Sequence, residues 1–396
     1  MTEAGSTPEA APTVERLVHL VSGEMPADEM NRLNHDEWEK IAVMAIVIGL
    51  APILHWRLEQ SLFNPPAITM AKLGVTRQAH AKRNEAIASQ LAQILAGCAS
   101  QDISAVVLKG AVLAQKAYPE AALRPMNDID LLFRPEDLSG VGLLLERLGY
   151  QGKHKNQSHG PGITKHQSTY RRAGRVGATP NPYVSAGGDR TVEPHGSLEE
   201  SWFGLKVDIT PGVWERAVPV SLHGQPARRL WASDALLHLA VHATFHVIMG
   251  TTVFLQLYDI RQVIETWSNE LDWSKLLGQA EQVGAEPFAY AALYWARRLF
   301  QAAIPDDILR TLASACPTHL VAHVRATGSW QLFRRTQQPP LVTLRQRLGR
   351  GISDRREAAR WARSMGAKWQ IWQTAVAIHK TDTAGLLTGR RLKAEV

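Results

Sequence analysis

The chain has 396 residues, of which 45% are hydrophobic and 20% charged, and a formal net charge of +7. This balance belongs to a globular protein large enough to bury a sizeable core. It excludes intrinsically disordered and collagen-like chains. The two cysteines, Cys98 and Cys316, stand far apart in no CxxC spacing, which excludes a disulfide framework and a cysteine-built zinc site and suits a reducing, cytoplasmic setting.

In chain order, Met1 to Glu15 is polar and has no apolar stretch of signal-peptide type. Residues 1–13 are small, polar and proline-containing, so disorder is expected there. From Val14 to about Ser100 the apolar spacing is helical, as in Trp38, Ile41, Ala42 and Ala45 and again in Ile87, Leu91, Ile94 and Leu95. The longest apolar run, Ile41 to Leu54, is broken at Gly49 and Pro52. It falls short of the roughly 17–25 residues that span a bilayer, so a buried helix and no membrane partner are expected.

At Ile103 the pattern changes. Ile103 to Leu108 predicts a short strand, Ala111 to Tyr118 a helix stopped by Pro119, and Asp128 to Phe133 a second strand. Pro135-Glu136-Asp137 opens a further helix that closes at Gly149. Residues 151–190, rich in Gly, Asn, Ser and His, read mostly as loop, with a candidate strand from Thr164 to Arg172. Thr191 to His195 predicts another strand, and from Ala232 the chain is helical again. The last 66 residues, from Gln331, hold 14 Lys and Arg against 4 Asp and Glu, a net +10, which leaves −3 for the rest. Such a tail either solubilises a helical face or attracts a polyanion such as nucleic acid. Solubilisation is the preferred reading.

The chemistry concentrates at Asp128 and Asp130. Alternate residues of a strand share a face, so the two carboxylates project together while Ile129 and Leu131 point the other way. Carboxylates held this close repel unless a cation lies between them, and a hard divalent ion bridging carboxylates to phosphate oxygens is the natural occupant. Upstream, Lys109-Gly110 ends one strand and opens a helix, where free N–H groups, a glycine backbone and an ammonium suit an anion. Arg124 adds a guanidinium able to fork onto a phosphate. His238, His242 and His246 recur every fourth residue along one helix face. Without an HExxH motif they are expected to be core or groove histidines rather than zinc ligands. Asp259 is expected to be a structural helix residue that can bond a histidine of the neighbouring helix. Walker A, GxSxG, kinase and Rossmann signatures do not occur.

The stretch Leu108-Lys109-Gly110-Ala111, Tyr118-Pro119, Arg124 and Asn127 to Leu132 resembles the bacterial uncharacterised nucleotidyltransferases, a family of the DNA polymerase β-like nucleotidyltransferase superfamily. The resemblance extends through Val192-Glu193-Pro194-His195, Val213 to Ala217, Asp234 to His246 and Tyr258-Asp259-Ile260, over roughly residues 30–300. Many members of that superfamily carry Gly-Ser where this chain has Lys109-Gly110.

The resemblance implies an α+β fold, with a small mixed sheet flanked by helices before and after. It divides the chain into the disordered tail (1–13), an N-terminal helical region (14–100), a nucleotidyltransferase core (101–230), a helical domain (231–330) and a basic helical tail (331–396). It also implies transfer of a nucleotidyl group from an NTP, with ATP the expected donor, to a small molecule, sugar, peptide or protein. Asp128, Asp130 and Glu193 would hold magnesium or manganese, and Lys109, Gly110, Arg124 and His195 would bind the nucleotide. Asp208 is the alternative third carboxylate, and either it or Glu193 could help deprotonate the acceptor. Two alternatives remain: a nucleotide-binding or antitoxin-like module without catalysis, and nucleic-acid binding through the tail.

Overall fold

The computed structural model describes residues 10–61, 65–154, 168–172, 191–336, 344–362 and 364–373. The first helices are α1 (Ala10–Ser22), α2 (Ala27–Arg32), α3 (His35–Val47), α4 (Ala51–Glu59) and the long α5 (Ala67–Ala99). Helix α1 starts at Ala10, so residues 10–13, expected in the disordered tail, are helical. Ala11 and Thr13 are buried, and that packing outweighs their small, polar character. Residues 1–9 lie outside the described residues. Helix α3 starts in a capping box, with Asn34 accepting from the Glu37 backbone N–H and Glu37 accepting from that of Asn34.

The middle of the chain builds β1 (Val106–Val107), α6 (Lys109–Lys116), β2 (Asp128–Leu132), α7 (Leu138–Arg147), β3 (Gln151–His154), β4 (Ser168–Arg171) and β5 (Thr191–His195). It continues through β6 (Glu199–Trp202), β7 (Leu205–Asp208), α8 (Val213–Arg216), β8 (Val218–Leu222) and β9 (Gln225–Arg229). Among the described residues seven strands form one mixed sheet in the order β3-β4-β5-β2-β1-β9-β8, and β6 and β7 form a separate hairpin. The pairs β2–β5 and β1–β9 are parallel, and the other ladders are antiparallel. The candidate strand beginning at Thr164 is β4. Its positions 164–167, like residues 155–163 and 173–190, lie outside the described residues.

Helices then complete the chain: α9 (Ala232–Met249), α10 (Phe254–Thr266), α11 (Trp273–Val283), α12 (Glu286–Phe300), α13 (Asp306–Ser314), α14 (Thr318–Ala326), α15 (Ser329–Thr336) and α16 (Leu344–Trp361). The fold is α+β, a mixed sheet with helices on either side of it in sequence. Helix α9 is long and apolar enough to cross a membrane by length and composition, yet 89% of it is buried inside the protein, where it packs on α10, α11, α12 and β6. The run Ile41 to Leu54 is helical except for the turn at Gly49, and its core-facing side chains Ile41, Ala45, Leu50 and Leu54 are buried.

Helix α1 packs against α12 and α15, so the first and last helical regions meet. The basic tail is anchored as well. In α16, Trp361 is buried against Phe288 and Trp295, with ring centroids 5.8 Å and 6.4 Å away, and Arg355 lies over the Phe203 ring at 4.6 Å. Tail residues 337–343, 363 and 374–396 lie outside the described residues.

Candidate active site

Helix α5 prepares the strand that carries the acids. Asn84 donates to the backbone carbonyls of Ala121 (2.6 Å) and Arg124 (3.0 Å), and Arg83 donates to the Asn127 side chain at 2.7 Å. These bonds fix the irregular segment between α6 and β2, so Asp128 emerges at the start of β2 with its side chain open to solvent. Ile129, Leu131 and Leu132 enter the core. Alternation separates Ile129 and Leu131 from the acids as expected, while Leu132, on the acids' face, is covered as well.

The register of β2 with β5 decides the rest. Asp130 pairs with Glu193 and Leu132 with His195, so Glu193 stands beside Asp130 on the neighbouring parallel strand. His195, two residues on, returns to the same face, and its Nε2 lies 2.9 Å from Asp130 Oδ1. One oxygen or nitrogen from each of Asp130, Glu193 and His195 falls within 4.8 Å of the others, close enough to share a metal ion. Asp128, expected among the ligands, stands outside this trio at the open end of the strand. Asp208, the alternative third carboxylate, lies on the β6–β7 hairpin opposite Glu199, and its Oδ1 accepts from the backbone N–H and the hydroxyl of Thr210.

Lys109 reaches the same carboxylate, donating from Nζ to Asp130 Oδ1 at 3.1 Å. Its backbone has φ +44°, in the left-handed region that costs a non-glycine residue roughly 1–2 kcal/mol. The chain therefore carries a side chain at a position whose backbone favours glycine, and that side chain meets the acid. Gly110 has a tighter steric reason to be glycine: a Cβ there would collide with the guanidinium of Arg124. Arg124 itself is turned to Asp259, with Nη2 to Oδ2 at 2.7 Å and Nε to Oδ1 at 3.2 Å, while Nη1 donates to the Pro125 carbonyl. Tyr118 donates to the same Asp259 at 2.7 Å. Arg124, expected to fork onto phosphate, thus forks onto a buried carboxylate and braces the loop. Asp259 bonds this arginine rather than a histidine.

Lys109, Gly110, Arg124, Asp128, Asp130, Glu193 and Asp259 line a cleft of about 680 Å³ that also takes in Arg83, Asn127, His242 and His246. His242 and His246 come from the predicted histidine face, their rings 4.4 Å apart, and His242 Nδ1 lies 2.9 Å from Glu200 Oε1. Glu200 escaped sequence reasoning. It is one of two adjacent glutamates on a short strand, and only the packing of β6 against α9 buries it.

The electrostatics separate the two aspartates. Burial by itself would raise the Asp130 carboxyl, but Lys109, His195 and His242 hold it well below the ordinary carboxylate range. Burial lowers the Lys109 ammonium, and Asp130, Glu200 and Asp128 outweigh it and keep the group above its usual range. Asp128 goes the other way. Although its side chain opens to solvent, the cleft walls around it limit its hydration and Asp130 repels its charge, so it rises from 3.8 to about 6. A carboxyl raised in the fold keeps its proton longer there than in the unfolded chain. Asp128 therefore reduces stability as pH climbs from about 4 to about 6, whereas Asp130 loses its stabilising effect only on acidification below the ordinary range. Carboxyl ¹³C NMR between pH 4 and 8, assigned with Asp128→Asn, should show Asp128 titrating near 6. A midpoint below 5 would remove the proposed repulsion.

Clustered carboxylates and a histidine held against an ammonium in a cleft, on the central strands of a mixed sheet, equip a protein for group transfer at phosphorus. The chain belongs to the Uncharacterised nucleotidyltransferase family, whose model matches residues 34–301, and it is a nucleotidyltransferase. Among solved structures it is similar to the solution structure of the antibiotic-resistance factor ANT(2'')-Ia, at 13% identity and a TM-score of 0.35, over 53% of this chain and 96% of that one. A comparison with curated proteins gave no match.

Proposed function

We propose that the chain transfers a nucleotidyl group from a nucleoside triphosphate, with ATP the expected donor, to an acceptor bound in the same cleft, with Mg²⁺ or Mn²⁺ at the acids. The observation that carries this reading is the in-register pairing of Asp130 with Glu193 opposite Lys109. The donor set fits a divalent ion: the ligand atoms of Asp130, Glu193 and His195 lie within 4.8 Å of one another, and Asp128, raised by desolvation and by the charge of Asp130, adds a crowding of carboxylates that a cation relieves. Asp130 and Glu193 would hold the ion, with Asp128 and His195 beside it. When bound, it neutralises phosphate charge and orients the donor for in-line displacement.

The side chains contribute the rest. Lys109, held cationic, places a point charge for the triphosphate at the N-terminus of α6. The acceptor's hydroxyl or amine attacks the α-phosphorus, the bond to the bridging oxygen breaks, and pyrophosphate leaves. Glu193, which lines the cleft as Asp208 does not, is the carboxylate suited to take the acceptor's proton. Most of the rate gain then comes from positioning and charge neutralisation.

One observation favours a second reading, a module that binds nucleotide without turnover. Lys109 and His195 both already engage Asp130 Oδ1, an arrangement in which the protein supplies its own counter-charge. Calorimetric titration of ATP, CTP, GTP and UTP with Mg²⁺ tests both. The transferase reading expects Mg²⁺-dependent binding of one nucleotide, lost in Asp128→Ala/Asp130→Ala, with pyrophosphate release. Binding without release favours the module, and no binding by the folded wild type overturns both.

A further inference from the structure

The acids and Lys109 occupy only part of the cleft. Its remaining wall includes Val47 at the end of α3, Met249 at the end of α9, Thr252 just before α10, and Leu255 and Gln256 in its first turn. Trp202 joins them from β6, which packs against α9. The α3–α4 turn meets α10 here, since a Cβ on Gly49 would lie 3.8 Å from Leu255. Val47 is 56% exposed at the lip of the cleft.

Three polar atoms of this wall stand out. Trp202 Nε1, Thr252 Oγ1 and Gln256 Oε1 are shielded from water and have no hydrogen-bond partner in the protein. A buried polar atom left without a bond costs roughly 1–3 kcal/mol, so three in one wall call for a cause. Together they provide one donor, one acceptor and one hydroxyl able to do either, set among apolar side chains and carrying no charge. Thr252, Gln256 and Asp259 follow at intervals of four and three residues, on one face of the chain leading into and along α10. Asp259 braces Arg124, whose charge reaches Asp128. At 1.5 Å rise per residue, Gln256 and Thr252 then lie on the order of 5–10 Å farther out along the helix than that anchor.

We propose that this wall is the nucleobase site of the donor, with the side chains of Gln256, Thr252 and Trp202 turning outward to bond the edge of the base and Val47, Met249 and Leu255 packing against its faces. The inference rests on the donor reading above. A planar heterocycle has apolar faces and a mixed edge of donors and acceptors, which matches the wall. A polycationic ligand does not, because the wall's own groups include no carboxylate.

The test compares the four NTPs with inorganic tripolyphosphate, each with Mg²⁺, in wild type and in Gln256→Leu, Thr252→Val and Trp202→Phe. The favoured NTP is expected to bind about tenfold or more tighter than tripolyphosphate. Gln256→Leu and the nearly isosteric Thr252→Val should each weaken that NTP by up to about tenfold and leave tripolyphosphate unchanged. Equal binding of tripolyphosphate and all four NTPs overturns the base site while leaving the phosphate site intact. Equal weakening of NTP and tripolyphosphate in the variants also overturns it, since that reports general damage. Unchanged NTP affinity with a raised acceptor KM assigns the wall to the acceptor instead. If neither tripolyphosphate nor any NTP binds, the donor reading fails first and this site fails with it.

Discussion

Asp130→Asn is expected to lower Mg²⁺-dependent pyrophosphate release from the favoured NTP on the order of a thousandfold, while far-ultraviolet circular dichroism remains that of the wild type. The side chain keeps its shape and loses its charge, and three neighbours depend on that charge. Lys109 and His195 both meet Oδ1, and Glu193 stands beside it in register. Without the carboxylate the trio keeps one anionic ligand, and a hard cation bound through a single carboxylate is held weakly. Asp128→Asn should cost less, because Asp128 sits outside the trio and already holds its proton up to about pH 6. Release within tenfold of wild type in Asp130→Asn would show that the acid pair is not the reaction centre.

Asp259→Ala is expected to destabilise the fold by roughly 3–5 kcal/mol, read from equilibrium urea unfolding. Asp259 is fully buried and bonds both Arg124 and Tyr118. Removing it leaves a guanidinium buried beside Gly110 with no counter-charge, and a buried charge without a partner is among the costliest single defects. Tyr118→Phe removes one bond and leaves the ion pair, so about 1 kcal/mol is expected. A cost below 1 kcal/mol for Asp259→Ala would mean that water reaches Arg124 and that the loop is held by Asn84 and Arg83 instead. The same variant separates the two roles of Arg124, since a freed guanidinium can reach phosphate only if the loop stays in place.

The sequence by itself determined what depends on local pattern. Alternating polar and apolar residues made Asp128 to Leu132 a strand with its acids together, the helical spacing from Val14 to Ser100 made helices, and the motif around Lys109-Gly110 and Asp128-Ile129-Asp130 placed the chain in its family. Those signals reside in neighbouring residues, so no knowledge of the fold is needed to read them. The tertiary structure decided everything that depends on partners far along the chain. Glu193 stands beside Asp130 only because β5 returns parallel to β2 after a long excursion, whereas Asp208, equally strand-like, goes to a separate hairpin. Arg124 looked free for phosphate, but Asp259, 135 residues away, takes it. The basic tail read as a solubilising helical face, yet Trp361 seats it in the core. Glu200 comes to meet His242, a cleft residue, because α9 covers β6. Strand register decides the first case; in the others the deciding quantity is the burial of a charged or aromatic side chain, and both are set by the whole packed fold rather than by the residues beside them.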